Sequence, residues 1–323
     1  MKNYLITGAT GFIGKRLIEK LNNETHIYAI VRDVQKAENI YGDTRADITF
    51  IQWSIDDSKT IENVISLLPE KVDYVIHCAA NTDSKRMIEY PVETANGIVI
   101  GTRNVLELAR LKQVESLVYL SSMEVYGSIN LGEKRVTEDT LGDIDIYNVR
   151  STYPLGKRMA ELYCLSYYKE YGVPVKVARL AQVFGSGILP TDNRVFAQFA
   201  KSVISNKDII LHTDGTSMGN YVDTDDAIDA IMLLLNNGEN GEAYNIVNED
   251  NTMMIRDMAE LVASEVAGGK IKVIFDIPKD NIHGYAAKTG LRLSSSKINA
   301  LGWQAKKNLV DMYKLLIHEM TTR

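Results

Sequence analysis

The chain opens on a short apolar run, Tyr4-Leu5-Ile6, that ends at Thr7-Gly8 and gives way to an amphipathic stretch over residues 12–21. Apolar runs then alternate with stretches of helical periodicity. The pattern predicts strands at 27–31, 48–53, 72–80, 116–121 and 175–180, and helices at 58–68, 92–111 and 151–171. Residues 72–80 read as a continuous apolar strand, as expected of one buried on both faces of a parallel sheet. Pro69 stops one helix, and Gly172-Val173-Pro174 turns another into the strand that follows. Strand–helix alternation of this kind implies an α/β fold, a doubly wound parallel sheet with helices on both faces. After Gly185 the elements shorten and Gly and Pro punctuate them. Helices are predicted at 196–204, 224–235, 255–266, 294–301 and 309–320, with a short strand at 271–274. This half reads as a smaller mixed α/β lobe.

Composition narrows the chemistry only slightly. At 323 residues, 45% hydrophobic and 24% charged, the chain is an ordinary soluble globular protein able to bury a sizeable core. A net charge of -6 without a basic block argues against nucleic acid as a partner. No apolar run approaches membrane-spanning length, and Met1-Lys2-Asn3 leads directly into a strand, so a cytoplasmic protein without a membrane association is expected. Cys78 and Cys164 lie in apolar contexts and read as reduced core residues. The five histidines show no ligand spacing, so no metal is expected. Asp223, Asp225 and Asp226 fit the cap and first turn of a helix, where carboxylates are favoured.

The first strand and its turn carry more information. Gly8, Gly11 and Gly14 follow the strand at three-residue spacing and open a helix. A glycine at 8 permits a tight turn, one at 11 lets a diphosphate approach the backbone, and one at 14 lets the helix pack close to the sheet. The helix N-terminus then offers N–H groups and a positive dipole end to an anion. A dinucleotide site is the expected reading. In such sites the end of the second strand meets the adenosine ribose. Here it ends Ile30-Val31-Arg32-Asp33, and a cation at that place suits a 2′-phosphate. Arg32 points to NADP, with NAD as the alternative if Asp33 serves the ribose. On this basis residues 1–185 are expected to form a Rossmann-like dinucleotide-binding domain, its sheet completed by later segments. Residues 186–323 are expected to form the substrate-binding lobe.

Two further stretches bear on chemistry: Ser121-Ser122-Met123-Glu124-Val125-Tyr126-Gly127 after the fifth strand, and Tyr153-Pro154-Leu155-Gly156-Lys157. Tyr and Lys at i and i+4 share one helix face. An ammonium beside a phenol favours the phenolate, so the pair can serve as base or acid near neutral pH. Ser151 is placed to cap this helix, with Pro154 in its first turn.

Glycine turn, strand-end serine and Tyr-x-x-x-Lys, in this order and at these distances, resemble the extended short-chain dehydrogenase/reductase family, most closely its nucleotide-sugar epimerase/dehydratase branch. The segments Val75-Ile76-His77-Cys78-Ala79-Ala80, Arg179-Leu180-Ala181-Gln182-Val183-Phe184-Gly185, Ser296-Lys297 and Leu301-Gly302-Trp303 extend the resemblance over nearly the whole chain. The resemblance implies that Gly8, Thr10, Gly11, Phe12, Ile13, Gly14, Arg32, Ser54, Ile55, Ala79, Ala80, Lys157 and Leu180 line the cofactor. It implies that Tyr153 exchanges the proton of a sugar hydroxyl or carbonyl, that Ser122 hydrogen-bonds the same oxygen, and that Lys157 holds the nicotinamide ribose. Glu124 stands where relatives place a second acid/base, able to take a proton next to a transient ketone; its other reading is a rim carboxylate. Gln182 and Arg194 fall at substrate-contacting places, and a homodimer paired through the two long helices is expected by the same resemblance. Tyr163, Tyr167, Tyr168 and Tyr171 are read as packing or dimer-face residues.

Four positions depart from the family pattern. Arg32 replaces an acid. Ser54 stands where an Asp often contacts the adenine. Met123 replaces an Asp that protonates a leaving hydroxyl, which a thioether cannot do. Gly219 stands where many relatives carry an Arg that grips the substrate diphosphate or acts in decarboxylation, which argues against decarboxylation and leaves Arg194 or Arg292 to meet the phosphate. The leading expectation is an NADPH-dependent ketoreductase acting at a sugar carbon, C4, of a nucleotide sugar. The alternatives are an epimerase or 4,6-dehydratase that recycles its nicotinamide, a reductase of a small non-nucleotide carbonyl compound, and a non-catalytic cofactor sensor.

Overall fold

The computed structural model describes residues 1–21, 24–42, 47–129, 132, 134–189, 191–278 and 289–322. By internal contacts it divides into two units. The first comprises Met1–Gly127, Leu141–Leu180 and Ala230–Tyr244; the second comprises Ser128–Thr140, Ala181–Asp229 and Asn245–Arg323.

The first unit is built by strand–helix alternation, predicted from the sequence except for its second and fourth helices: β1 (Lys2–Thr7), α1 (Phe12–Lys20), β2 (Thr25–Val31), α2 (Val34–Tyr41), β3 (Ile48–Gln52), α3 (Ile61–Leu67), β4 (Tyr74–His77), α4 (Ser84–Glu89), α5 (Pro91–Leu111), β5 (Ser116–Ser122), α6 (Thr152–Tyr171) and β6 (Val175–Leu180). Every pairing from β3 through β6 for which a register is resolved is parallel. The second unit carries β7 (Gln182–Phe184), α7 (Val195–Ile204), β8 (Ile209–Leu211) and β9 (Met218–Asp223). Helix α8 (Thr224–Asn237) and strand β10 (Ala243–Ile246) follow, and β10 adds to the first sheet. β11 (Asn248–Met254), α9 (Ile255–Leu261), β12 (Val273–Phe275), α10 (Ser296–Asn299) and α11 (Leu309–Thr322) complete the chain.

The seven-stranded sheet runs β10-β6-β5-β4-β1-β2-β3. The strand order reverses direction between β1 and β4, the point at which a doubly wound sheet opens a crevice at its carboxyl edge. Leu5, Val75, Leu117, Val175 and Val177 are buried, and Ile98, Val105 and Leu108 of α5 and Ala160 and Cys164 of α6 belong to the same core cluster. The central strands read as continuous apolar runs because both faces are covered. Smaller β11-β9-β7 and β12-β8 sheets belong to the second unit.

Local differences from the sequence reading have local causes. The helix after β3 starts at Ile61 rather than 58, because Thr60 Oγ1 donates to Asp57 Oδ2 at 2.9 Å and holds a turn there. Ser151 stands at the N-cap of α6 but makes no side-chain cap bond; Asn148 instead caps the 3-10 turn Val149–Ser151 that precedes it, accepting from Arg150 N at 2.9 Å. Asp223 does cap α8, accepting from Asp225 N at 2.8 Å. The stretch predicted as one helix to 266 changes into a π turn after Leu261. Tyr163, Tyr167 and Tyr168 pack on the core, and the Arg110 guanidinium lies 5.1 Å from the Tyr171 ring centre. Among the described residues no helix is long and apolar enough to cross a membrane, and no group of three or more His, Cys, Asp or Glu is placed to hold a metal ion.

Candidate functional site

The turn between β1 and α1 has the shape of an anion cradle. Gly8 adopts φ +71°, and a Cβ there would lie 2.8 Å from the Ala79 backbone nitrogen. Only glycine therefore lets the ends of β1 and β4 approach this closely. A Cβ on Gly14 would lie 2.3 Å from Gly8 O, so this glycine sets the distance between α1 and the turn. Gly11 is the N-cap and offers no capping side chain, and no acid stands in the first turn. The N–H groups of the first turn have no intrahelical acceptors and no competing anion from the helix itself. That arrangement fits a dinucleotide diphosphate. Thr7 Oγ1 accepts from Ala79 N at 3.2 Å and meets His77 Nδ1 at 2.7 Å, while His77 Nε2 meets Thr102 Oγ1 at 3.1 Å. The buried imidazole thus ties β1 and β4 to α5. Burial, reinforced by the nearby Lys157 charge, pushes its pKa down to about 3, so it is neutral. This tie was missed in the sequence, although the unpaired apolar context of His77 was a signal for it.

Around the rest of the cradle, Ala79 and Ala80 are half-buried at the end of β4. Ile55 O accepts from Asn104 Nδ2 at 2.8 Å, which fixes the loop after β3, while Ser54 is exposed and donates to Asp56. Arg32 is exposed, and among the described residues no carboxylate pairs with its guanidinium. Asp33 is engaged as the N-cap of α2, its Oδ1 accepting from Lys36 N at 2.9 Å.

At the carboxyl end of β5 the first unit gathers the four candidate catalytic residues. Ser122 pairs in register with Leu180 of β6. Its Oγ accepts from Glu124 N at 3.2 Å, and its own proton has no acceptor among the described residues. Tyr153 and Lys157 are both buried on α6, and Lys157 Nζ lies 5.9 Å from the Tyr153 ring centre. Nζ donates to Leu120 O at 2.7 Å, leaving two of its protons without acceptors among the described residues. Burial lowers the Lys157 pKa to about 8, with Glu161 opposing the shift. Glu124, in the 3-10 turn Met123–Tyr126, accepts from Arg150 Nη2 at 2.9 Å.

A second layer fixes this group. Arg158 donates to Val125 O at 2.7 Å and to Gly142 O at 2.6 Å, clamping the end of the turn that carries Glu124. Arg179 pairs with Glu161 at 2.7 Å and donates to Tyr126 Oη at 3.0 Å, and Ser121 Oγ donates to the same Glu161. The pair joins α6, β5 and β6. Glu161 lies four residues beyond Lys157 and eight beyond Tyr153, so extending the helix-face count by one turn finds it in the sequence.

In the second unit, Gln182 opens β7 opposite Tyr221 of β9. Arg194 is the N-cap residue of α7, exposed and ion-paired with Asp192 at 2.6 Å. Its guanidinium lies 4.6 Å from the Phe196 ring centre. Arg292 is half-buried, and its carbonyl accepts from Val136 N at 2.7 Å. A Cβ at Gly219 would meet Tyr221 Oη at 2.3 Å, so the tyrosine occupies the space that a side chain at 219 would need.

The model of the NAD dependent epimerase/dehydratase family matches residues 4–247. A dTDP-D-glucose 4,6-dehydratase of Dictyostelium discoideum is 28% identical over 256 residues, 76% of this chain and 58% of its own length. UDP-glucuronic acid decarboxylase 1 of Danio rerio is 28% identical over 269 residues, 82% of this chain and 61% of its own. The chain thus spans about three fifths of these two relatives. Among solved structures, UDP-glucose 4-epimerase of Thermotoga maritima superposes with a TM-score of 0.82 at 24% identity, covering 99% of this chain and 98% of that one. With a parallel Rossmann-like sheet, a glycine cradle and the Ser122, Tyr153 and Lys157 constellation in place, the chain belongs to the NAD dependent epimerase/dehydratase family, within the extended short-chain dehydrogenases/reductases.

Proposed function

We propose that this protein is an NAD-dependent enzyme that oxidises a ring carbon of a nucleotide-activated sugar to a ketone, exploits the acidity this gives the neighbouring C–H, and restores the carbon before release. NAD, when bound, supplies the acceptor and then the donor of the hydride. Tyr153 takes the proton from the sugar hydroxyl and returns it, Ser122 donates a hydrogen bond to the same oxygen, and Lys157 would hold the nicotinamide ribose with its remaining protons. Glu124 removes the proton next to the ketone, and a solvent proton added to the other face of the resulting enolate completes the inversion before the hydride returns. The observation that carries this reading is the convergence on one strand end of a hydroxyl with an uncommitted proton, a Tyr–Lys pair and a carboxylate.

A recycling epimerase or dehydratase is favoured over the net ketoreductase because a ketoreductase has no use for Glu124. The names of the relatives point the same way. Met123 supplies no proton for a leaving hydroxyl, so epimerisation next to the ketone suits these side chains better than elimination. The Arg194 guanidinium, once exchanged from Asp192, is the candidate for the substrate diphosphate, with Arg292 as the other. The two long helices α5 and α6 are the proposed homodimer face.

The experiment is stoichiometric. The protein is incubated with NAD and, separately, UDP-glucose, UDP-glucuronic acid and dTDP-glucose. Products are followed by NMR and nicotinamide by absorbance at 340 nm. Product formation with no net change at 340 nm is expected; one NADH accumulated per product would show a net dehydrogenase instead, and the ketoreductase would be shown only by consumption of added NADPH with a keto-sugar nucleotide. A second reading, NADP in place of NAD, is favoured by the exposed Arg32 and by the commitment of Asp33 to capping α2.

A further inference from the structure

Arg150 lies outside every sequence motif recognised above, yet it touches two of the four candidate catalytic residues. Its Nη2 donates to Glu124 Oε1 at 2.9 Å, and its Cζ lies 5.6 Å from the Tyr153 ring centre. The backbone that presents it is pinned in turn, since Arg150 N donates to Asn148 Oδ1 at 2.9 Å and Ser151 N donates to Asn148 O at 2.9 Å. We propose that Arg150 is a positioning residue for the second proton transfer: it holds the Glu124 carboxylate in register with Tyr153, so that one proton is handled at the oxygen and another at the carbon beside it.

Stability does not explain the pair. The Arg150 and Glu124 side chains are 27% and 37% exposed, and ion pairs so exposed contribute little once screening and side-chain ordering are counted. Geometry does explain it. The contact uses one carboxylate oxygen, and Oε2 has no partner among the described residues. A base needs such an uncommitted lone pair, whereas a bidentate clamp would occupy both oxygens. Glutamate left alone samples several rotamers. The guanidinium, stacked near the Tyr153 ring, selects the one that keeps the two proton-transfer groups together.

The inference rests on the function proposed above, and the test separates the two. The holoenzyme is given in D2O whichever of UDP-glucose, UDP-glucuronic acid and dTDP-glucose it turns over. Two signals are read: the transient absorbance at 340 nm, which reports hydride transfer, and deuterium incorporation next to the oxidised carbon, by NMR. Arg150→Met is expected to keep the transient within about threefold while slowing deuterium incorporation by about 30-fold or more, within the range of general base contributions. Its NAD affinity and melting temperature should match those of the parent. Glu124→Gln should show the same split. Arg150→Lys should recover about a third of the lost rate, because one N–H suffices for a monodentate contact. Equal loss of both signals in Arg150→Met, or loss of neither, overturns the positioning role. Turnover of none of the three sugars by the parent enzyme overturns the function proposed above, and the role of Arg150 with it.

Discussion

Gly14→Ala isolates the cofactor cradle in one methyl group. On an ordinary helix the change would stabilise, since alanine is favoured over glycine by about 1 kcal/mol. Here the new Cβ would lie 2.3 Å from Gly8 O, 2.9 Å from Gly8 C and 3.0 Å from Ala9 Cα, all of it backbone. Carbon–oxygen contacts want roughly 3.5 Å, so α1 and the turn must part by about 1 Å. Leu17 and Ile18, both fully buried, anchor α1 to the core and resist that movement. Overpacking of this kind costs about 1–3 kcal/mol, which exceeds the propensity gain. The N–H groups of the first turn would also leave their aim at the diphosphate. Losing one charge-assisted hydrogen bond of about 1.5–3 kcal/mol weakens NAD binding by roughly 10- to 100-fold. Calorimetry for NAD affinity and thermal unfolding for stability check both numbers. Gly97→Ala on α5 is the control: nothing lies within 4 Å of its Cβ in the single chain. It should gain about 0.5–1 kcal/mol and leave NAD affinity unchanged. If Gly14→Ala stabilised the protein as Gly97→Ala does, with NAD affinity intact, the close approach of helix and turn would not be what binds the cofactor.

Three further outcomes follow from the buried and exposed charges. His77 is neutral in the fold with a pKa of about 3, while in the unfolded chain it protonates near 6.5. Between those values the unfolded state binds the extra proton, so stability should fall by up to about 1.4 kcal/mol per unit as pH drops through this window. Comparison of urea midpoints for the parent and His77→Gln from pH 7 to 4 tests it, and a slope unchanged in the variant would refute it. Arg179→Met leaves the largely enclosed Glu161 without its cation and should cost about 3 kcal/mol in denaturant unfolding; a loss below about 1 kcal/mol would show the pair to be solvated. Arg32→Asp should weaken NADPH binding by at least about tenfold more than NADH binding, and equal losses would remove the 2′-phosphate role.

The sequence was legible where one short-range rule governs one element. β1, its glycine turn and α1 are such a case, because strand period, turn chemistry and helix face occur within the first 21 residues. So are β5 and β6, whose apolar runs follow from burial on both faces. Tyr153 and Lys157 were legible because one helix turn brings them together. The α2 helix was missed: its start signal, Asp33, sits where a ribose contact was sought, and one side chain served two readings. β11 was missed because Asn248–Met254 is largely polar and pairs with β9 across a register shift at 248/253. Arg150 and Glu124 were not connected, since they lie 26 residues apart on two 3-10 turns and no periodicity relates such segments. The assignment of residues 230–244 to the first unit rests on contacts remote in sequence, such as Gly241 N donating to Val175 O at 2.7 Å.

Replacing Tyr153 with phenylalanine tests the central claim most directly, because it removes one oxygen and leaves the ring packed in its buried place. The measurement is the 340 nm transient after mixing holoenzyme with the sugar it turns over. Unchanged NAD affinity with the transient slowed by at least about 100-fold is the expected result. A transient of parental rate in Tyr153→Phe would contradict the assignment of proton transfer to this residue.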